Sequence, residues 1–280
     1  MSTIKPSESS SSLVMGDAKL KVANEIKKVQ EYYESDQDQK CFNLLLLGAM
    51  GTGKNVVAGT TCRFPAHIDS FDPGGSKHLR PEIKQGKVLV DTRFEKEDPF
   101  QPTVYALWKK VIRERISMGY FERFGTYILD SATTWVMSMQ HNVMKLNGMS
   151  GQDPRWAHDY SPVKTELQNI IRELLKLPCD FILTGHLKSE KDDVSGKVVN
   201  QFMTVGQGAI IIPTLFDEKW VTISGRKEGD YSILTRNNGS YLASTRIGRG
   251  KFEPQEKPDI KYLLKKAGLN VEDKPLLITK

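Results

Sequence analysis

The chain has 280 residues, of which 39% are hydrophobic and 26% charged, with a formal net charge of +6. This is an ordinary globular composition, enough for one large α/β domain with appendages or for two small domains. No apolar run approaches the ~20 residues of a membrane span, and the start, MSTIKPSESSSSL, lacks a secretory apolar core. Cys41, Cys62 and Cys179 are widely spaced and without metal-ligand spacing, which points to reduced thiols in the cytoplasm. The mild basicity permits a nucleic-acid partner without demanding one.

Residues 1–15 are serine-rich and read as a disordered tail. Residues 16–38 carry an amphipathic helix, in which Val22, Ile26, Val29 and Tyr33 recur at steps of four, three and four. It either packs on its own domain or serves as an arm that docks on a neighbouring subunit.

Phe42 to Leu47 is an apolar run short enough for a fully buried strand, and it breaks into Gly48-Ala49-Met50-Gly51-Thr52-Gly53-Lys54-Asn55. Gly48 and Gly53-Lys54 have the spacing of a phosphate-binding loop, whose backbone N–H groups curl around a polyphosphate at the start of a helix. Lys54 reaches the outer phosphates as a point charge. The next residue is normally Ser or Thr, whose hydroxyl binds Mg²⁺. Asn55 offers a bulkier, neutral amide oxygen instead, so efficient hydrolysis is less secure than nucleotide binding.

Ala66 to Asp72 reads as a second strand ending in carboxylates and a Pro-Gly-Gly turn, and Lys87 to Asp91 as a third. Pro102 to Met118 has one apolar helical face. Tyr127-Ile128-Leu129-Asp130-Ser131 is a strand ending in an acid, which either caps a helix or stands near magnesium at the carboxyl edge of a parallel sheet. Residues 137–160 read as a helix end and a long loop, followed by a helix over 161–177 and a buried strand, Phe181 to His186. Residues 187–207 are polar and read as a mobile loop. Ile210 to Phe216 and Trp220 to Ser224 extend the sheet. Asn237-Asn238-Gly239 signals a hairpin between Tyr231–Thr235 and Tyr241–Ala243. A helix over 259–266 closes a domain spanning 39–268, and 269–280 form a polar tail. The fold class is a mostly parallel central sheet flanked by helices, with a C-terminal antiparallel hairpin.

GAMGTGKN, HIDSFDPGG, YILDS, FILTGH, PTLFDEKW, ILTRNNGSYLASTR and EPQEKPDIKYLLKKAG together span most of the chain. In these stretches the chain resembles the phage nucleotide-binding ATPases of the RecA-like P-loop class, the group that includes Sak-type single-strand annealing recombinases. The resemblance implies ATP and Mg²⁺ as ligands, with Asn55 and Asp130 on the metal and Asp72 or Asp69 orienting the attacking water. His186 falls where such proteins sense the terminal phosphate, although a strand-end histidine serves structure equally well. Arg246 and Arg249 are candidate arginine fingers across a homo-oligomer, or solvated surface arginines. The resemblance also implies single-stranded DNA as partner, with a single-stranded-DNA-binding protein as a further one, in recombination, annealing or replication in the cytoplasm of a phage-infected host. The DNA-facing loops would offer Lys145, Arg155 and Trp156, then Lys188, Lys191, Lys197 and Phe202, with Glu190, Asp192 and Asp193 cancelling charge in the second. A nucleotide-dependent assembly protein with little hydrolysis is the alternative. A small-molecule kinase fits less well, because no arginine-rich lid separates the strands.

Overall fold

The computed structural model describes residues 10–35, 41–191, 196–206, 208–225, 227 and 229–277, the side chains of 10–18, 35, 156 and 157 excepted. It divides into two units, Met1–Lys40 and Cys41–Lys280.

In the first unit, helix α1 (Ser10–Ser35) starts earlier than the sequence pattern suggests and takes in serines read as tail. Serine favours helix N-termini, and Leu13, Val14 and Met15 continue the helix. Val22, Ile26, Val29 and Tyr33 are each more than half exposed. Residues 1–9 of the expected tail and 36–38 of the expected helix lie outside the described residues.

The second unit is built on a sheet. Strand β1 (Asn43–Gly48) pairs in parallel with β5 (Asp180–Lys191) on one side and β7 (Glu218–Ser224) on the other. Beyond β5 come β4 (Thr126–Asp130), β2 (Ala66–Ser70) and β3 (Val88–Asp91), all parallel. Beyond β7 come β8 (Tyr231–Leu234) and β10 (Gln255–Glu256), both antiparallel to their neighbours. The short β9 (Ser244–Thr245) also pairs with β7, and β6 (Val198–Phe202) with the far half of β5.

Both faces of this sheet are covered, which is why β1 reads as an unbroken apolar run rather than an alternation. Leu45 and Leu47 enter a core with Trp108 and Ile112 of α4 (Val104–Ser117), Trp135 and Met139 of α5 (Ala132–Leu146), and Leu167 and Ile171 of α6 (Ser161–Leu174). Leu44 and Leu46 enter the opposite core with Val57 of α2 (Lys54–Thr61), Trp220, and Leu263 of α8 (Ile260–Ala267). A short α3 (Arg80–Lys84) leads into β3. Among the described residues no helix is long and apolar enough to cross a membrane.

Four local expectations are corrected. Residues 187–207 include a β-hairpin, because Leu187↔Phe202 through Lys191↔Val198 pair antiparallel as β5 runs on past the sheet. Residues 192–195 and 207 lie outside the described residues. Within 137–160 the expected helix end is that of α5 at Leu146, but the expected loop gives way to a π-helical turn, Trp156–Tyr160, that leads into α6. Residues 210–216 are helical rather than extended: α7 (Gly208–Ile211) passes into a 3₁₀ turn, Ile212–Leu215, whose Pro213 has no N–H for a sheet ladder. The Asn237-Asn238-Gly239 turn forms but joins no hairpin. Its side chains close it, with Asn237 Oδ1 accepting from Gly239 N (2.8 Å) and Asn238 Oδ1 from Tyr241 N (2.9 Å). Tyr241 then bridges to Asn200. The C-terminal antiparallel hairpin is instead β7–β8, with Val221 opposite Leu234 and Ser224 opposite Tyr231.

Candidate nucleotide-binding site

At the carboxyl end of β1 the chain passes so close to β7 that only glycine fits. A Cβ on Gly48 would lie 2.3 Å from Thr222 Oγ1 and 2.4 Å from Thr52 Oγ1. Thr52 Oγ1 donates to Ala49 O (2.8 Å) and pairs with Thr222 Oγ1 (2.8 Å), pinning the loop to the neighbouring strand. Gly53 has φ of +80°, and it sets the chain at the start of α2. Lys54, the first residue of α2, is buried and donates from Nζ to Gly48 O (2.9 Å) and Ala49 O (2.8 Å). Burial pushes its pKa down, against the opposing pull of the Asp130 and Asp72 charges.

Thr184 on the adjacent β5 and Asn55 at the start of α2 both meet the end of β4. Asp130 accepts from Asn55 Nδ2 through Oδ2 (2.6 Å) and from Thr184 Oγ1 through Oδ1 (2.6 Å). Burial pushes its carboxyl up to about 6, with the Thr184 hydrogen bond opposing and the Asp72 charge adding. The peptide between Asp130 and Ser131 is cis.

Asp72 accepts from Ser131 Oγ (3.1 Å) and from the Thr134 hydroxyl, and His186 Nε2 stands 3.6 Å from Oδ2. Burial raises the Asp72 carboxyl, but the contacts from His186, Thr134 and Ser131 outweigh it and hold the group below the usual range. Asp69 lies elsewhere. It is fully buried and accepts from Trp108 Nε1 (2.9 Å), Tyr127 OH (2.8 Å) and Arg115 Nη1 (2.8 Å), with His67 Nε2 at 2.9 Å. His67, Asp69 and Asp91 have metal-ligand proximity, but the Arg115 guanidinium bonds to both carboxylates and lies 3.0 Å from His67 Nε2. That group is an ion-pair network supporting β2, and none of its members lines the cleft at the phosphate loop.

Met50, Gly51, Gly53, Lys54, Asn55, Asp72, Thr134, His186 and Tyr231 line one cleft of about 610 Å³. The donor set fits Mg²⁺. Asn55 commits its amide nitrogen to Asp130 and so leaves its oxygen as a hard ligand, while Asp130 supplies carboxylate. A Ser or Thr hydroxyl in that position likewise donates to the acid and offers a lone pair to the metal. Thr184, Thr134, Ser131 and Tyr231 were not singled out in the sequence. The hydroxyl-rich run Ser131-Ala132-Thr133-Thr134 directly after Asp130 was a usable signal for two of them. Tyr231 carried none.

The remaining candidates lie apart from the cleft. Arg246 donates from Nη2 to Thr214 O (2.8 Å) and from its backbone N to Glu218 Oε1 (2.6 Å). Glu218 opens β7 opposite Leu44, at the end of β1 away from the phosphate loop. Arg249, three residues on, is exposed with φ of +42°. Lys145 Nζ donates to Pro102 O (3.0 Å), and Arg155 is tied to Asp159 through Nε (3.2 Å). The side chain of Trp156 lies outside the described residues. Lys188 pairs with Glu190 at 2.5 Å; Lys191, the last residue of β5, and Lys197, just before β6, are exposed. Phe202 is a correction: it is 3% exposed, packed where Gly185 leaves room, and cannot stack on a base.

Residues 41–247 match a family described as "AAA domain". No curated protein matches the chain. Among solved structures, it is similar to a prototypical ATPase from the type III secretion system of pathogenic bacteria, at 13% identity and a TM-score of 0.47, over 81% of this chain and 61% of that one. It is also similar to the RadB recombinase, at 12% identity and a TM-score of 0.35, over 69% of this chain and 79% of that one. The chain thus spans about three fifths of the secretion ATPase's length.

Proposed function

The chain belongs to the AAA domain family, and on that premise we propose that it binds ATP with Mg²⁺ and hydrolyses it, using Asp72 to orient the attacking water. The observation that carries this is the 2.6 Å bond from Asn55 to Asp130, which joins the phosphate loop to the acid-bearing end of β4 beside the cleft that Asn55 lines with Lys54 and Asp72.

The backbone N–H groups of the loop and the positive end of α2 receive the phosphates. Lys54 exchanges the carbonyls of Gly48 and Ala49 for phosphate oxygens, keeping its charge compensated throughout. When bound, Mg²⁺ supplies charge neutralisation on the phosphate oxygens. Asn55 Oδ1 and Asp130 would hold it. Asp72, held ionised by its neighbours, accepts a hydrogen bond from water and aims its oxygen at the terminal phosphorus. A carboxylate of depressed pKa is a weak base, so Asp72 orients the water more than it deprotonates it. The water oxygen bonds to the terminal phosphorus, the bond to the bridging oxygen breaks, and the water's proton passes to phosphate oxygen or solvent.

His186 beside Asp72 is suited to report the terminal phosphate. The same strand continues without a break from His186 into the hairpin that carries Lys188 and Lys191. Single-stranded DNA, in phage recombination, annealing or replication, is the partner this reading assigns to the hairpin. It rests on the resemblance of the seven sequence stretches together with that continuity. Phosphate release measured with and without single-stranded DNA tests both levels. Turnover stimulated by DNA supports them together. Turnover indifferent to DNA removes the DNA partner, and none in either condition favours the assembly alternative.

A further inference from the structure

Asp72 can orient a water only if the turn that carries it is held still, and that turn has no regular structure of its own. It leaves β2 at Ser70, bends through Asp72 to Gly75 with a backbone bond from Gly75 N to Asp72 O (2.9 Å), and passes Gly74 at φ of +73°. Glu95, in the segment after β3, reaches both flanks of Asp72. Its Oε1 accepts from Ser70 Oγ (2.8 Å) and its Oε2 from Gly74 N (3.2 Å). Next to it, Phe94 stacks on Phe71 with ring centroids 5.5 Å apart and planes 22° from parallel. Both aromatic rings are fully buried.

We propose that Glu95 is a positioning residue for hydrolysis, its two carboxylate oxygens clamping Ser70 and Gly74 so that Asp72 is held toward the terminal phosphate. This rests on the hydrolytic function above. Glu95 acts through Asp72 and does not touch substrate. A carboxylate suits the task because one planar group accepts two bonds in a fixed geometry, and misplacing a water-orienting group by about 1 Å can cost on the order of 100-fold in rate.

The chemistry also identifies the informative variants. Glu95→Ala removes both bonds. Glu95→Gln can keep both, since its amide oxygen accepts from Gly74 N and the Ser70 hydroxyl reverses to accept from the amide nitrogen. Steady-state ATP hydrolysis, ATP affinity by calorimetry and thermal melting are measured on the full chain and both variants. The expected result is a kcat at least tenfold lower for Glu95→Ala, with ATP Kd within threefold of wild type, and recovery of most of the rate in Glu95→Gln. An unchanged kcat in Glu95→Ala overturns the proposal. So does a joint loss of kcat, affinity and melting temperature, or a Gln variant no better than Ala. A wild type without turnover refutes the hydrolytic function itself, which the affinity arm distinguishes from loss of nucleotide binding.

Discussion

The side-chain amide of Asn55 donates to Asp130 across 2.6 Å, so the unusual residue after the phosphate-loop lysine is tied to the same acid that a hydroxyl there would meet. On the proposed function the amide has two jobs at its two ends, nitrogen to carboxylate and oxygen to metal. Asn55→Ala should therefore weaken binding of ATP with Mg²⁺ more than binding of ATP in chelator, read by calorimetry in the two conditions. Asn55→Thr retains a donor and a ligand and should hydrolyse at least as fast as wild type. A slower threonine variant would mean that the site is adapted to the amide.

On the proposed function Lys54 supplies the charge that binding of phosphate requires. ATP with Mg²⁺ at 100 times its Kd should stabilise the fold by about 2.7 kcal/mol, a melting shift of roughly 5–10 °C for a chain of this size. In Lys54→Ala most of that shift should vanish. An equal shift in the variant would remove the phosphate loop from nucleotide binding.

The network around Arg115 predicts a pH dependence. Burial raises the Asp69 carboxyl, but His67, Arg115 and Tyr127 outweigh it, and Asp91 is lowered to about 2 by Arg93 and Arg115 against its own burial. Depressed folded-state values mean that the unfolded chain takes up protons first as pH falls. The stabilisation is therefore present above the ordinary value of 3.8 and is lost as pH falls toward about 2. Arg115→Met takes the guanidinium away from Asp69 and Asp91 and leaves buried Asp69 with only His67, Trp108 and Tyr127, at a cost of about 3–5 kcal/mol near neutral pH. Melting temperature against pH should show this loss together with a flatter acid limb. A parallel, unflattened curve would contradict the assignment.

The core of the site was legible in the sequence because its signals are local. An apolar run followed by Gly48 to Asn55, and a second run ending at Asp130, each announce a strand and what stands at its end. The choice between Asp69 and Asp72 was not legible. Side chains alternate across a strand, so Asp69 shares a face with His67 and is buried, while Asp72 lies past the last residue of β2 and is free to turn into the cleft. Phe202 looked like a stacking ring because nothing in its own segment reveals that Gly185, on the facing strand, leaves space for it. The Asn237-Asn238-Gly239 turn misled for a related reason. Side chains that close a turn by themselves remove the need for paired strands on either side.

The hairpin predicts how DNA binding should respond to charge. Lys191→Ala should weaken single-stranded DNA binding and reduce the log–log salt slope by about 0.7 for a phosphate that is no longer neutralised. Lys145→Ala and Arg155→Ala should change it little, because Pro102 O and Asp159 already hold those groups. Fluorescence anisotropy with a labelled oligonucleotide across a salt series makes the comparison. Equal weakening in all three variants would contradict the hairpin as the DNA-binding surface.

The meeting of Lys54 and Asp72 in one cleft, with Asp130 bonded to Asn55 beside it, is tested most directly by phosphate release from ATP and Mg²⁺, wild type against Asp72→Asn, with ATP affinity measured on the same samples. The wild type should turn over, and Asp72→Asn should bind ATP within a few-fold of wild type while releasing phosphate about 100-fold more slowly, as expected when a water-orienting group is lost. Equal rates in the two proteins, or no release from the wild type, would contradict the assignment of this cleft as a hydrolytic site.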